Sequence, residues 1–162
     1  MTDTADKPGV IVLPPLLALG TLVLGFALSW VAPTFVLRVV LPFQLRVAIG
    51  LALAAGGVAL AVAGARTFRE VGTNVTSTQP ALKLVTVGAY AHLRNPMYVG
   101  LGLLVAGIGV GFASDWTLVL LVPAVLVIHY GVVLREEAYL VRKFGETYRR
   151  YKDAVPRYGW PV

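Results

Sequence analysis

Four long apolar runs constrain this chain more than anything else in it. A helix needs roughly 20 consecutive apolar residues to cross a bilayer core, and the runs 10–32, 45–65, 96–112 and 116–134 reach or approach that length. Pro14 and Pro15 stand in the first turns of the first run, and Pro33 ends it. The second run is rich in Ala and Gly, a composition that lets helices approach closely. The third is short but uninterrupted. Trp116 and Tyr130 lie towards the two ends of the fourth, and the turn Ala113-Ser114-Asp115 makes the last two runs a tight antiparallel hairpin. The expected fold is therefore all-α: a polytopic membrane protein with four transmembrane helices, forming one integral-membrane domain over 1–162.

Composition agrees. Charged residues make up 14% of the chain and hydrophobic ones 57%, against about 25% charged in soluble domains. A bilayer, rather than water, must cover that surface. The net charge of +6 lies beside the apolar runs, so it points to anionic lipid headgroups and away from nucleic acid. No cysteine is present, which excludes disulfides and thiolate catalysis. Met1 to Pro8 carries Asp3, Asp6 and Lys7 with no small-residue cleavage site after it, so no signal peptide is expected.

Orientation follows from the cations. Of fourteen Lys and Arg residues, twelve fall at the N-terminus, in the connection 66–95 or in the tail, and Arg38 and Arg46 alone fall on the opposite side. The positive-inside rule then puts both termini and that connection in the cytoplasm. The sequon Asn74-Val75-Thr76 is on the wrong side to be glycosylated.

The tail 135–162 reads as a C-terminal amphipathic cytoplasmic helix. Ala138, Val141, Phe144, Tyr148, Tyr151 and Val155 recur at steps of three and four among basic residues, with a break or bend at Gly145. A basic helix resting on anionic lipid accounts for most of this pattern. It does not account for Glu136 and Glu137 at the junction with the fourth run, which point to a partner within the protein.

The segment from Leu84 to Gly100 is the candidate site. It gathers Tyr90, His92, Arg94, Asn95 and Tyr98 in nine positions and enters the third run through Pro96. Proline suits a first helical turn, and Asn95 is placed to cap it. The hairpin sets Arg94, Asn95 and Tyr98 at the same depth as Glu136 and Glu137. A cation, a helix N-terminus and a carboxylate there suit the amino-acid end of a zwitterionic ligand. A plain Arg94–Glu ion pair is the structural alternative. His129, inside the fourth run, is either functional or neutral and bonded to a neighbouring helix. Metal binding is not expected, because His92 and His129 are the only histidines and no ligand spacing is present. Gly107-Ile108-Gly109-Val110-Gly111 imitates a nucleotide loop but lies inside an apolar run, where helix packing explains it.

Taken together and in order, several motifs resemble the isoprenylcysteine carboxyl methyltransferase family, part of a wider group that includes membrane phospholipid methyltransferases. They are Leu84-Val85-Thr86-x-Gly88-x-Tyr90, Arg94-Asn95-Pro96-Met97-Tyr98-x-Gly100, Glu136-Glu137-x-x-Leu140, Phe144-Gly145-x-x-Tyr148-x-x-Tyr151 and Val155-Pro156-Arg157. The resemblance covers about 66–157. It implies an S-adenosylmethionine-dependent enzyme acting on a lipophilic or prenylated substrate, most like isoprenylcysteine carboxyl methylation, with other lipophile acceptors as the alternative. By the same resemblance Lys83, Leu84, Val85 and Tyr90 would line the adenosine. Asn95, Pro96, Met97 and Tyr98 would hold the amino-acid end beside Arg94, and Glu136 would take the ammonium. Leu140 and Glu137 share one motif, with Glu137 and Arg157 expected at the catalytic end. There Arg157, or else Arg135, would orient an anionic nucleophile. Two positions depart from the family: Asn95 stands where His is usual, and Val132 where prenylcysteine-processing members carry Arg. A transporter is disfavoured, because no acid falls near the middle of a run. A purely structural membrane protein would have no use for the polar cluster.

Overall fold

The computed structural model describes residues 6–76 and 78–159; the remaining positions of the expected domain, 1–5, 77 and 160–162, lie outside the described residues. Among the described residues every regular element is helical. Helix α1 is Pro14–Val31, with proline in its first turn. A five-residue helix, α2 (Val36–Val40), takes its cap from Asp115, whose carboxylate accepts from the amides of Val36 and Leu37 at 3.0 Å each. Helix α3 is Phe43–Val71, α4 is Pro96–Gly111 and α5 is Asp115–Ile128. A π-helical stretch, His129–Val133, leads from α5 into α6 (Leu134–Phe144), and α7 (Glu146–Ala154) follows Gly145.

Among the described residues three helices are long and apolar enough to cross a membrane: α1, α3 and the continuous Asp115–Phe144. Their outward faces carry large apolar side chains such as Val23 and Leu51, more than 60% exposed, as a lipid-facing surface requires. At 16 residues, α4 is about 24 Å long and falls short of a typical core of about 30 Å.

Two expected boundaries are corrected. The second span does not stop at 65. It continues to Val71 and about 44 Å in all, because nothing in Arg66 to Glu70 breaks a helix. Gly72, at φ +76°, ends it. Nor does a surface helix start afresh at 135: α6 continues α5 through the π-helical stretch, and the first true break is Gly145, at φ +56°.

Packing is set by close approach. Gly50, Gly57 and Gly64, one every seven residues, form the face of α3 that meets α4. A Cβ on Gly57 would sit 2.5 Å from Gly100 O, and one on Gly107 would sit 2.6 Å from Gly50 O. Backbones in such contact gain dispersion energy that larger side chains would prevent. The outer end of the hairpin is closed by Ser114, whose Oγ lies 2.9 Å from Ser29 Oγ and 2.7 Å from Thr117 Oγ1.

Replacing Gly57 by Ala forces helix backbones apart, and we expect a loss of roughly 1–3 kcal/mol. Gly56→Ala, where a Cβ meets nothing within 4 Å, should be neutral or stabilising. Thermal unfolding of both variants in detergent micelles distinguishes these outcomes.

Candidate functional site

The approach to α4 is built first. Gly88, at φ +61°, turns the chain against Thr67, and Tyr90 is buried with its ring 5.0 Å from that of Phe68. The tail then clasps this turn. Tyr151 Oη donates to Tyr90 O at 2.7 Å, and the Arg94 amide donates to Pro156 O at 2.9 Å. Asn95 occupies the N-cap position of α4, but its side chain makes no cap. Nδ2 donates instead to Arg157 O at 3.2 Å, so the expected capping bond is replaced by a tether to the tail.

Glu137 is the centre of the cluster. Its residue exposure is 6%, yet it is surrounded by cations. Arg94 Nη1 lies 2.7 Å from Oε1, Arg157 Nε donates to Oε1 at 2.7 Å, and Arg157 Nη2 donates to Oε2 at 2.9 Å. Lys152 Nζ approaches to 3.9 Å. The paired carboxylate reinforces the charged form of Arg157, raising its pKa. Arg94 Nε is buried and has no hydrogen-bond partner among the described residues. Next to it, Glu136 Oε1 accepts from Tyr98 Oη at 2.7 Å. The ion pair expected as an alternative thus exists, and it leaves one guanidinium N–H over.

These groups wall a cavity of about 110 Å³, smaller than the roughly 300–1,000 Å³ usual for ligand sites. Lys83, Leu84, Val85, Tyr90, Arg94, Asn95, Met97, Tyr98, Glu136, Glu137 and Leu140 all line it. Pro96 and Arg157 do not: Pro96 is packed in the α4 turn next to Gly64, and Arg157 backs Glu137. The loop 73–85 is drawn in by Thr73 Oγ1, which accepts from the amides of Leu82 and Lys83. Tyr139 Oη accepts from the Ala81 amide at 3.0 Å and donates to Asp6 at 2.9 Å, so it ties loop, α6 and N-terminal segment together. The sequence reading missed Phe68, Thr76, Gln79, Tyr139, Tyr148 and Tyr151 as lining residues. For Tyr148 and Tyr151 a signal existed, since both lie in the apolar repeat of the tail.

A second space adjoins the first. An apolar groove of about 490 Å³ runs between α1, α4 and α5, lined by Leu17, Val99, Leu103, Leu121, Val125 and their neighbours. Tyr98 lines both spaces. His129 is bonded not to a helix but to the tail, with Nδ1 2.8 Å from Tyr158 Oη.

The profile of the phospholipid methyltransferase family matches residues 45–147. Over 74 residues the chain is 38% identical to the protein-S-isoprenylcysteine O-methyltransferase of Schizosaccharomyces pombe, covering 45% of this chain and 31% of that enzyme. The aligned part therefore spans about a third of the length of that relative. No solved structure matches significantly.

Two predictions follow from the cluster. Glu137→Gln leaves two guanidinium groups without their counter-ion, and we expect a loss of about 3–5 kcal/mol, read as a lowered unfolding midpoint in micelles. Burial, with the Glu137 charge second, pushes the Tyr148 phenol from 10.0 up to about 12. The phenol is protonated in both states below pH 10, so its contribution to stability is constant there. It falls as pH rises from 10 towards 12, because the unfolded chain then releases the proton first. Tyr148→Phe should reduce this alkaline loss without abolishing it, because burial also raises the pKa of Tyr90, Tyr151 and Tyr158, as followed by unfolding across that pH window.

Proposed function

The chain belongs to the phospholipid methyltransferase family, and on that premise we propose that it is an S-adenosylmethionine-dependent methyltransferase that modifies a lipophilic acceptor at the membrane. The observation that carries this reading is the meeting of a polar cavity and an apolar groove at a single residue, Tyr98. A charged cofactor and an apolar acceptor need separate solvents and one point of contact, and this arrangement supplies both.

The residues fit the cofactor. Arg94 Nε is a buried donor lacking an acceptor, and a ligand carboxylate would satisfy it with a charge-assisted bond. Glu136 supplies the carboxylate for an ammonium. The positive end of α4 adds to the pull on the anionic group. Asn95 and Pro96 fix where α4 begins. Lys83, Leu84, Val85, Met97 and Leu140 form the walls for the adenosine part, and Tyr90 closes the inner end. The amino-acid end brings one charge of each sign, which Arg94 and Glu136 match, and the sulfonium adds a further positive charge. When bound, the cofactor would supply an electrophilic methyl group on a sulfonium. The ring of Tyr98 or Tyr90 would favour that positive centre by cation–π contact.

Methyl displacement is in-line, so the work of the protein is positioning and exclusion of water. In this reading Glu137 and Arg157 act by holding Arg94 and the tail in place. The groove admits the acceptor sideways from the bilayer. The α4 helix serves as a short fourth span, and both termini face the cytoplasm, where the excess of Lys and Arg lies. The named substrate of the fission-yeast relative is a prenylated cysteine. For this chain the reading extends to lipophiles as a class, including phospholipids.

Calorimetric titration with S-adenosylmethionine tests the proposal. The wild-type protein should bind. Glu136→Ala should weaken binding about tenfold or more, the usual cost of one charged hydrogen bond of about 1.5–3 kcal/mol. Tyr98→Phe, which removes the hydroxyl that orients Glu136, should weaken it less. Identical titrations for all three proteins would reject the site.

A further inference from the structure

The groove needs a group to receive the reacting head of the acceptor, and it offers few. No charged side chain lines it among the described residues, and its polar side chains are Thr21, Tyr98 and Tyr158. Thr21 Oγ1 donates back to Leu17 O at 2.8 Å within its own helix. The Tyr98 hydroxyl is directed to Glu136 in the cofactor cavity. Tyr158 remains, and its hydroxyl meets His129.

Asn95 Nδ2 holds the carbonyl of Arg157, and the Arg94 amide holds that of Pro156, so the segment carrying Tyr158 is pinned at the two residues before it. The hydroxyl lies 2.8 Å from Nδ1 of His129. His129 opens the π-helical stretch, a wide turn that recurs at functional sites. It is also an ionisable group within a membrane-crossing helix, which is costly to keep without a role. Around it stand the Tyr130 ring, edge-on at 4.7 Å, and the Tyr158 ring at 5.9 Å. The nearby cations are committed elsewhere: Arg157 to Glu137, and Arg135 Nη1 to Gly9 O at 3.0 Å.

We propose that Tyr158 is a catalytic residue that takes the proton of the methyl acceptor, that His129 is the positioning residue behind it, and that the acceptor head is a proton-bearing thiol, hydroxyl or amine rather than a carboxylate. The proposal rests on the methyltransferase reading above and deepens it. The lone pair of the acceptor heteroatom forms the bond to the methyl carbon, and the electron pair of the breaking carbon–sulfur bond stays on sulfur. The heteroatom proton passes to Tyr158 Oη as the proton of Tyr158 passes to His129 Nδ1. The positive charge lost at sulfur thus reappears on the imidazole, and nothing else is consumed. A carboxylate has no proton to hand over, and it would bring a negative charge into a lining that holds no cation to offset its desolvation.

The test uses the full-length protein in micelles with methyl-labelled S-adenosylmethionine and four probes: 1-dodecanethiol, dodecylamine, dodecanoate and N-acetyl-S-farnesylcysteine. We expect label in the thiol or the amine in preference to both carboxylates. Tyr158→Phe should lower kcat by roughly a hundredfold or more, while KM and calorimetric cofactor binding stay near wild type, which also shows that the variant is folded. His129→Gln should lower kcat with cofactor binding kept. A readout free of turnover is the nitrogen-15 spectrum of labelled histidine. Nδ1 of His129 should report an unprotonated acceptor, should shift when 1-dodecanethiol is added without cofactor, and should lose that response in Tyr158→Phe, with the exposed His92 as internal control. Preferred labelling of dodecanoate or the farnesylcysteine, or unchanged kcat in Tyr158→Phe, overturns the proposal. Failure of the wild-type protein to bind S-adenosylmethionine overturns the enzyme reading itself, and this inference with it.

Discussion

One buried carboxylate holds the functional end of this protein together. Glu137 receives Arg94 from the approach to α4 and Arg157 from the tail. Neither cation comes from the helix that carries it. Ion pairs of this burial gain little against a well-packed apolar substitute, but removing one partner strands a charge that nothing else can neutralise. The pair therefore acts less as a source of stability than as a condition on geometry. Only an arrangement that brings three separate segments together satisfies all of its groups. Once it is satisfied, Arg94 Nε and Glu136 are left facing a shared space, which is the property the proposed ligand site depends on.

The rest of the fold makes that convergence possible. The glycine face of α3 lets α4 lie in backbone contact with it, which sets the depth of Pro96 and hence of Arg94 and Tyr98. The tight turn at Ser114 returns the chain so that α5 reaches the same depth from the other side. Beyond it the π-helical stretch carries the helix on into α6 without a break. Glu136 and Glu137 thus project from a continuous rigid element, and a side chain on such an element is held more narrowly than one on a loop.

Two solvents meet at Tyr98. On one side are charged and aromatic groups with loop backbone, on the other aliphatic side chains from α1, α4 and α5. The family relationship covers α3 to the start of α7, so it includes the lining of the polar cavity almost entirely. Tyr158 and α1, which shape the groove, lie outside the matched residues. That division is physically reasonable: a common cofactor asks for a common pocket, while acceptors of different shape and charge ask for different grooves.

Much was legible from sequence because the bilayer imposes simple rules. Apolar run length located every long helix to within a few residues at its apolar ends, and proline and glycine marked starts and stops by local backbone chemistry, as at Pro96 and Gly145, although the first helix begins at Pro14 and not at residue 10. The same local rules failed where a helix outlasts its apolar stretch, as α3 does through Arg66 to Val71, since hydropathy registers the membrane and not the hydrogen-bond ladder. Motif order brought most of the candidate residues to notice, but not what they touch. That Asn95 tethers the tail instead of capping α4, that Glu137 faces two arginines, and that His129 pairs with Tyr158 are contacts across 20 to 62 residues of chain. Periodicity and capping reach about one helical turn along the sequence. Partners that distant are chosen only when packed helices, here brought together by glycine contacts and one shared carboxylate, fix which ends lie side by side.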